Sequence, residues 1–215
     1  MSRITLSFDN GPDPDVTPLV LDVLRRQDVA ASFFVQGDKV RDRRHLCERA
    51  HAEGHWIGNH TYNHLVPLGQ SQEPGAAERE IRRTQRLLEG LAHEDKLFRP
   101  FGGGGLLDDR LLDRESFDCL VGEGYSCVLW NAIPQDWVHP RRWPDTALRQ
   151  CADLPHALVV LHDLPTDAMM QLESFIQRAR DAGHTFCQEF PQDCVPLRRG
   201  EVLAPMEAYV HGYAG

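Results

Sequence analysis

The 215-residue chain is short of positive charge: 23 Lys and Arg stand against 32 Asp and Glu, a formal net charge of -9 with histidine neutral. Nucleic acid and anionic membranes are therefore not expected as partners, because binding through counterion release needs a basic patch. The short run Arg41-Asp42-Arg43-Arg44 reads as a solvated helix face. No stretch approaches the ~20 apolar residues of a membrane-spanning helix. The N-terminus reaches strand-like sequence within three residues, with no basic segment leading into an apolar stretch and a cleavage site. The expectation is a soluble, cytoplasmic protein. Six cysteines, Cys47, Cys119, Cys127, Cys151, Cys187 and Cys194, include no Cys-x-x-Cys pair and no zinc-ribbon spacing. That argues against a disulfide framework and for thiols kept reduced. Internal repeats and low-complexity linkers are also missing, so one domain is expected over residues 1–187. The tail, residues 188–215, carries Pro191, Pro196 and Pro205 without a clear period, and its order is left open.

What is present is an alternation of short β-rich runs with longer helical patterns, as expected for parallel strands joined by helical crossovers. Strands are predicted at 4–8, 31–35, 55–58, 97–101, 126–130, 157–161 and 184–187. Helices are predicted at 15–27, 38–53, 75–91, 108–123, 145–151 and 166–182. Roughly seven strand-helix units fall short of a complete eight-stranded barrel. The fold class expected is α/β, a distorted (β/α)7-type barrel, because polar clusters follow most strands directly and functional groups in barrels sit at the C-terminal strand ends. An open doubly wound sheet would gather them at one crevice.

The first cluster is Ser7-Phe8-Asp9-Asn10-Gly11-Pro12, where an apolar strand gives way to a turn. His60-Thr61-Tyr62-Asn63-His64 spaces two imidazoles four apart, which on a helical turn lets both face one metal ion. The signal is weak alone, since His51 and His55 show the same spacing at an ordinary helix end. Arg99-Pro100, Asp136-Trp137 and Leu161-His162-Asp163 each admit a bland reading: a surface cation, a turn before a core aromatic, a buried histidine satisfied by backbone. Phe101 and the four glycines after it lack the Gly-Lys-Ser/Thr of a phosphate loop and read as a flexible pocket lining.

In chain order these five motifs resemble those of the polysaccharide deacetylase family, also called the NodB-homology or carbohydrate esterase 4 group, over about residues 4 to 187. The resemblance implies a hydrolase that removes acetyl groups from N-acetylated sugars or oligosaccharides with a divalent metal, zinc first and cobalt or nickel as alternatives. It implies that Asp9 is the catalytic base, His162 the general acid, Asp136 the partner of His162, and Arg99 the group orienting Asp9. His60 and His64 match the ligand histidines, and Asn10 stands where the family has a ligand aspartate. Gly102, Trp137 and Leu161 match positions that bind substrate, Gly102 through its backbone N–H and the other two as walls of the acetyl pocket. Phe101 and Gly102 depart from the family's second proline and aromatic.

Asn10 is the larger departure, because a neutral amide replaces a charged ligand and weakens metal affinity. Three readings follow: a weakly held or different metal, a metal held by His60, His64 and water, or lost catalysis. The alternatives to a sugar deacetylase are a carbohydrate-binding protein on the same fold and a small-amide amidohydrolase. Oligomeric state is not legible.

Overall fold

The computed structural model describes residues 2–71 and 73–213. Met1 and the last two residues of the expected tail lie outside the described residues. Seven parallel strands follow one another: β1 (Arg3–Asp9), β2 (Ser32–Val35), β3 (Trp56–Asn59), β4 (Leu97–Phe98), β5 (Ser126–Cys127), β6 (His156–His162) and β7 (Thr185–Cys187). Helices α1 (Val16–Arg26), α2 (Gly37–Ala52), α3 (Arg83–Leu87), α4 (Arg114–Gly122), α5 (Trp143–Ala152) and α6 (Leu172–Asp181) connect them. Two short strands from the tail, β8 (Leu197–Arg198) and β9 (Glu201–Val202), add an antiparallel hairpin to the edge of β5. The order β6-β1-β2-β3-β4-β5-β8-β9, with β7 beside the first half of β1, is that of a curled, incompletely closed barrel.

Side-chain alternation along the strands divides the molecule. On β1, Ile4, Leu6 and Phe8 join a core that includes Val20, Leu21 and Leu24 of α1 and Phe175 and Ile176 of α6. The intervening Thr5, Ser7 and Asp9 are also buried and give β1 a polar face. On β6, Ala157, Val159 and Leu161 belong to that same helix-side core, whereas Leu158 and Val160 belong to two other clusters.

The predicted elements shorten where local chemistry interrupts them. The strand predicted at 97–101 stops at Phe98, because Pro100 has no N–H to give a ladder. The one predicted at 126–130 pairs at Ser126 and Cys127 and no further, since its partner β4 ends at Phe98. The helix predicted from 108 begins at Arg114, where the Asp113 side chain accepts the Ser116 N–H at 2.7 Å as an N-cap. The helix predicted from 166 is delayed to Leu172 by a left-handed Asp167 (φ 61°) and one 3₁₀ turn. Ala77–Arg82 is π-helical before α3 continues it.

The tail is packed. Cys194 accepts the Leu129 N–H at 2.7 Å, and Leu197, Met206 and Val210 are buried with Phe98, Phe117, Leu120 and Trp130.

Candidate active site

The C-terminal ends of β1, β3 and β6, with the segments that leave β4 and β5, converge on a cavity of about 240 Å³. Asp9, Asn10, His60, His64, Gly102, Trp137 and His162 all line it. Asp9 and His162 are register partners on adjacent strands, so the ladder itself sets two reactive side chains next to one another. Each has a dedicated buried partner. The Arg99 guanidinium, wholly buried, donates from Nη1 to Asp9 Oδ1 at 2.7 Å and to Ser7 Oγ at 2.8 Å. Its other nitrogens reach the Val128 and Leu129 carbonyls, and Phe34 lies 4.0 Å beneath it. A buried charge held this fully cannot swing away without leaving Asp9 unpaired.

His162 Nδ1 lies 2.8 Å from Asp136 Oδ1, and the other oxygen of Asp136 accepts the His162 backbone N–H at 3.0 Å. Burial opposes charge on this imidazole, but the hydrogen bond and charge of Asp136 outweigh it and hold the pKa above the ordinary histidine value. The proton on Nδ1 leaves Nε2 as the working nitrogen. Trp137 packs edge-on against the ring at 4.7 Å.

The two metal-ligand candidates do not share a helical turn, as their spacing had suggested. Residues 60–64 are an irregular loop with left-handed Thr61 (φ 65°) and His64 (φ 52°). The loop is clamped from both sides. Asn59 Oδ1 accepts the Thr61 N–H at 3.1 Å, and Glu80 Oε2 accepts from Tyr62 N and Asn63 N at 2.9 and 3.0 Å. From α2, Gly37 N and Asp38 N donate to the Thr61 and Tyr62 carbonyls. The rings of His60 and His64 still meet, with centroids 4.8 Å apart, and Phe101 stacks on His64 at 3.7 Å. Sequence reasoning missed Glu80, whose signal was a lone acid on the inner side of the helix predicted at 75–91.

Asn10 adopts φ 72°, a left-handed conformation that asparagine tolerates. Its carbonyl accepts from Lys39 Nζ at 2.5 Å, and burial lowers that lysine's pKa. Asn10 Oδ1 is buried and has no hydrogen-bond partner among the described residues.

A divalent metal is implied by the family resemblance, and the donor set bears on whether it fits. His60 Nδ1 faces the Arg99 carbonyl at 2.8 Å and donates to it, so Nε2 carries a lone pair yet sits 3.6 Å from Asp9 Oδ2. That lone pair belongs to a ring lining the same cavity as His64 and Asn10, and is available to a metal there. Burial keeps both His60 and His64 below the usual histidine pKa, hence neutral and able to ligate. With the orphaned Asn10 oxygen, these groups fit a metal, though the three donors carry no charge. Among the described residues no three His, Cys, Asp or Glu side chains gather to hold one.

One expected wall residue is misplaced. Leu161 is fully buried in the helix-side core, while Val160, its neighbour of opposite orientation on β6, lines the cavity. The two-residue period of a strand decides this: His162 and Val160 share a face, and Leu161 does not. Trp130, Ile133 and Leu164 line the cavity as well and were not foreseen. Trp130 explains the glycine run. A Cβ at Gly102 would sit 2.5 Å from the indole, and one at Gly105 would meet Ile133 at 2.4 Å. The indole N–H donates to the Gly105 carbonyl at 3.0 Å. Loop backbone and bulky side chains therefore form one wall.

Asp163, next to His162, is wholly buried, and burial pushes its carboxyl up to about 7 against the opposing hydrogen bond from Thr17.

A curled α/β barrel whose strand ends present a guanidinium-held carboxylate, a carboxylate-held imidazole and a histidine pair defines the class of metal-dependent hydrolases. The sequence profile of polysaccharide deacetylases matches residues 2–116. The chain is 34% identical to a chitooligosaccharide deacetylase of Rhizobium leguminosarum bv. trifolii over 75% of its own length and 71% of that protein's. It is 39% identical to a peptidoglycan-N-acetylglucosamine deacetylase of Bacillus cereus over 64% of its length, a stretch spanning 61% of that relative. In fold it is similar to a family 4 carbohydrate esterase from Streptomyces lividans, at a TM-score of 0.73 and 24% identity, covering 95% of this chain and 98% of that one. The chain belongs to the polysaccharide deacetylase family.

Proposed function

We propose that this protein removes N-acetyl groups from amino-sugar oligosaccharides by metal-dependent hydrolysis, with Asp9 as base and His162 as acid. The observation that carries the reading is the pairing of these two groups across adjacent strands, each fixed by its own buried counter-charge. The names of the relatives, a chitooligosaccharide and a peptidoglycan deacetylase, support the substrate class.

Asn10, His60 and His64 are the residues placed to hold the metal, zinc in this proposal. When bound there, such an ion supplies Lewis acidity, polarising the amide carbonyl and acidifying water. The chain supplies the rest. Arg99 keeps the Asp9 carboxylate oriented toward the cavity to take a proton from the attacking water. The Gly102 backbone N–H is the oxyanion donor of this proposal, set against the indole of Trp130. Asp136 keeps His162 charged, ready to protonate the departing amine from Nε2. Trp137 and Val160 enclose the acetyl methyl. The six cysteines, all free, support placement in a reducing compartment such as the cytoplasm.

The test is acetate release from a fully acetylated chitooligosaccharide with added zinc, comparing wild type with Asp9→Ala and His162→Ala. Losses of roughly 100-fold or more are expected in both variants, the scale of a lost acid or base. Undiminished turnover in either variant overturns its role.

Asn10 favours a second reading, a carbohydrate-binding protein on the same fold. Saturable oligosaccharide binding without acetate release at saturating metal supports that alternative.

A further inference from the structure

Asn10 follows β1 and His60 follows β3, while β2 lies between these two strands. The segment that leaves β2 therefore emerges between the two turns that carry the metal-ligand candidates. That segment is Gln36 and the first half of α2.

The opening N–H groups of a helix have no partner inside it and must find acceptors elsewhere. At the start of α2 they find them on both sides. Gln36 N donates to the Gly11 carbonyl at 2.9 Å, while Gly37 N and Asp38 N donate to the Thr61 and Tyr62 carbonyls at 3.0 and 2.9 Å. Side chains extend the reach toward β1: Lys39 Nζ donates to the Asn10 carbonyl at 2.5 Å and Arg43 Nη1 to the Pro12 carbonyl at 3.1 Å. The consecutive carbonyls of Asn10, Gly11 and Pro12 are thus all held from one helix start, which also holds two carbonyls of the histidine loop. The run Arg41-Asp42-Arg43-Arg44, expected on a solvated face, is solvated only in its first half. Arg41 and Asp42 pair with each other in solvent, whereas Arg43 reaches Pro12 and Arg44 reaches the Leu87 and Glu89 carbonyls. α2 departs from regular helical geometry at Arg43 itself (φ -134°, ψ 30°).

The fit against the histidine loop is close. A Cβ at Gly37 would press into the Thr84 side chain and come within 2.6 Å of the Tyr62 ring. Both neighbours are themselves held. Thr84 is fully buried and its hydroxyl donates to the Glu80 carbonyl at 3.0 Å, and the Arg83 guanidinium lies 3.6 Å over the Tyr62 ring.

We infer that Gly37 and Arg43 are positioning residues, and that the start of α2 is a bracket that sets the spacing of Asn10 from His60 and His64 before any metal arrives. The inference rests on the metal site of the proposed function. It is tested by zinc affinity, from chelator competition, and by histidine-ring NMR spectra of the metal-free protein, on wild type, Gly37→Ala, Arg43→Met and Ala50→Gly. Gly37→Ala pushes the bracket off the histidine loop without changing charge, and Arg43→Met releases Pro12. Ala50→Gly loosens the other end of α2, where Ala50 is buried in the helix-side core, and touches neither turn.

Gly37→Ala and Arg43→Met should each weaken zinc binding by at least roughly 10-fold, the scale of changes made behind the ligands. For Arg43→Met the sign is informative, because loss of a cation by itself favours a dication. The ring resonances of His60 and His64 should move in metal-free Gly37→Ala, and Ala50→Gly should keep wild-type zinc affinity, with melting curves confirming that each variant is folded. Wild-type affinity in either bracket variant, unmoved ring resonances in Gly37→Ala, or an equal loss in Ala50→Gly overturns the inference. A wild type that binds no zinc counts against the metal site alone, since the ring spectra still test the bracket, so the two failures are distinguishable.

Discussion

In the proposed metal site, Asn10 is the position where one atom decides the strength of binding. Its carbonyl is anchored by Lys39 and its side-chain oxygen is buried and unused, so Asn10→Asp changes charge with little change of shape. Restoring a carboxylate to a neutral donor set should raise zinc affinity by at least roughly 10-fold, the lower end of what outer-shell changes alone produce. Chelator competition on both proteins measures it. Equal affinities would remove Asn10 from the ligand set. Asp136 offers a second test. It raises the pKa of His162, whose protonated form is the acid of the proposed reaction, so activity should fall as pH rises through that value. Asp136→Asn removes the charge and lowers the pKa, and the alkaline limb of kcat/KM should move to lower pH. A limb that stays in place would assign it to another group. At this scale Asp9, Asn10, Arg99, Asp136 and His162 were found through the order of five motifs, each bland when taken alone, and the structure gathers them in and behind one cavity. Leu161 was misassigned, because the resemblance carried a wall role to a position whose strand parity faces the helices.

Among the elements, β1 and β6 were readable at almost full length, since both are apolar runs ended by a polar pair. The loop at 60–64 was not. Its shape depends on Asn59 and on Glu80, a residue sixteen positions beyond the loop's end by the numbering, and no local period announces a contact of that kind. The glycine run was read as flexible, but two of its members are fixed by what lies opposite. Gly102→Ala drives a Cβ into the rigid Trp130 ring and strains the indole bond to Gly105. Overpacking of this sort costs about 1–3 kcal/mol. The expected result is a several-fold rise in KM, roughly what loss of ~1 kcal/mol of binding produces, with a smaller change in kcat and an altered tryptophan emission. Unchanged kinetics and emission would show that the wall yields without consequence.

For the molecule as a whole, the seven parallel strands were legible from the alternation of runs, while the closing hairpin was not. β8 and β9 are two residues each, too short to give a pattern, and their place follows from Leu197 filling a gap beside β5. Removing residues 188–215 should therefore uncover Phe98, Phe117, Leu120 and Trp130, which pack on Leu197, Met206 and Val210. Such a truncation should lose a cooperative thermal transition and near-ultraviolet dichroism together. A sharp melt in the shortened protein would mean that the domain closes without its tail.

The barrel has a seam. Between the segment that leaves β5 and β6, the parallel contact is a single bridge, Ala132 to Val159, whereas β6 is paired with β1 along the whole of β1. Asp9 and His162 stand on the fully laddered side, while Trp130, Ile133 and Trp137 hang from the seam. The laddered strands and the cavity wall are thereby parts of unequal hydrogen bonding, joined where Asp136 meets His162. Substitutions of Trp130, Ile133 and Trp137 can reshape the cavity wall while leaving Asp9 and Arg99 undisturbed, whereas Asp136, on the same stretch, is held to its place by His162.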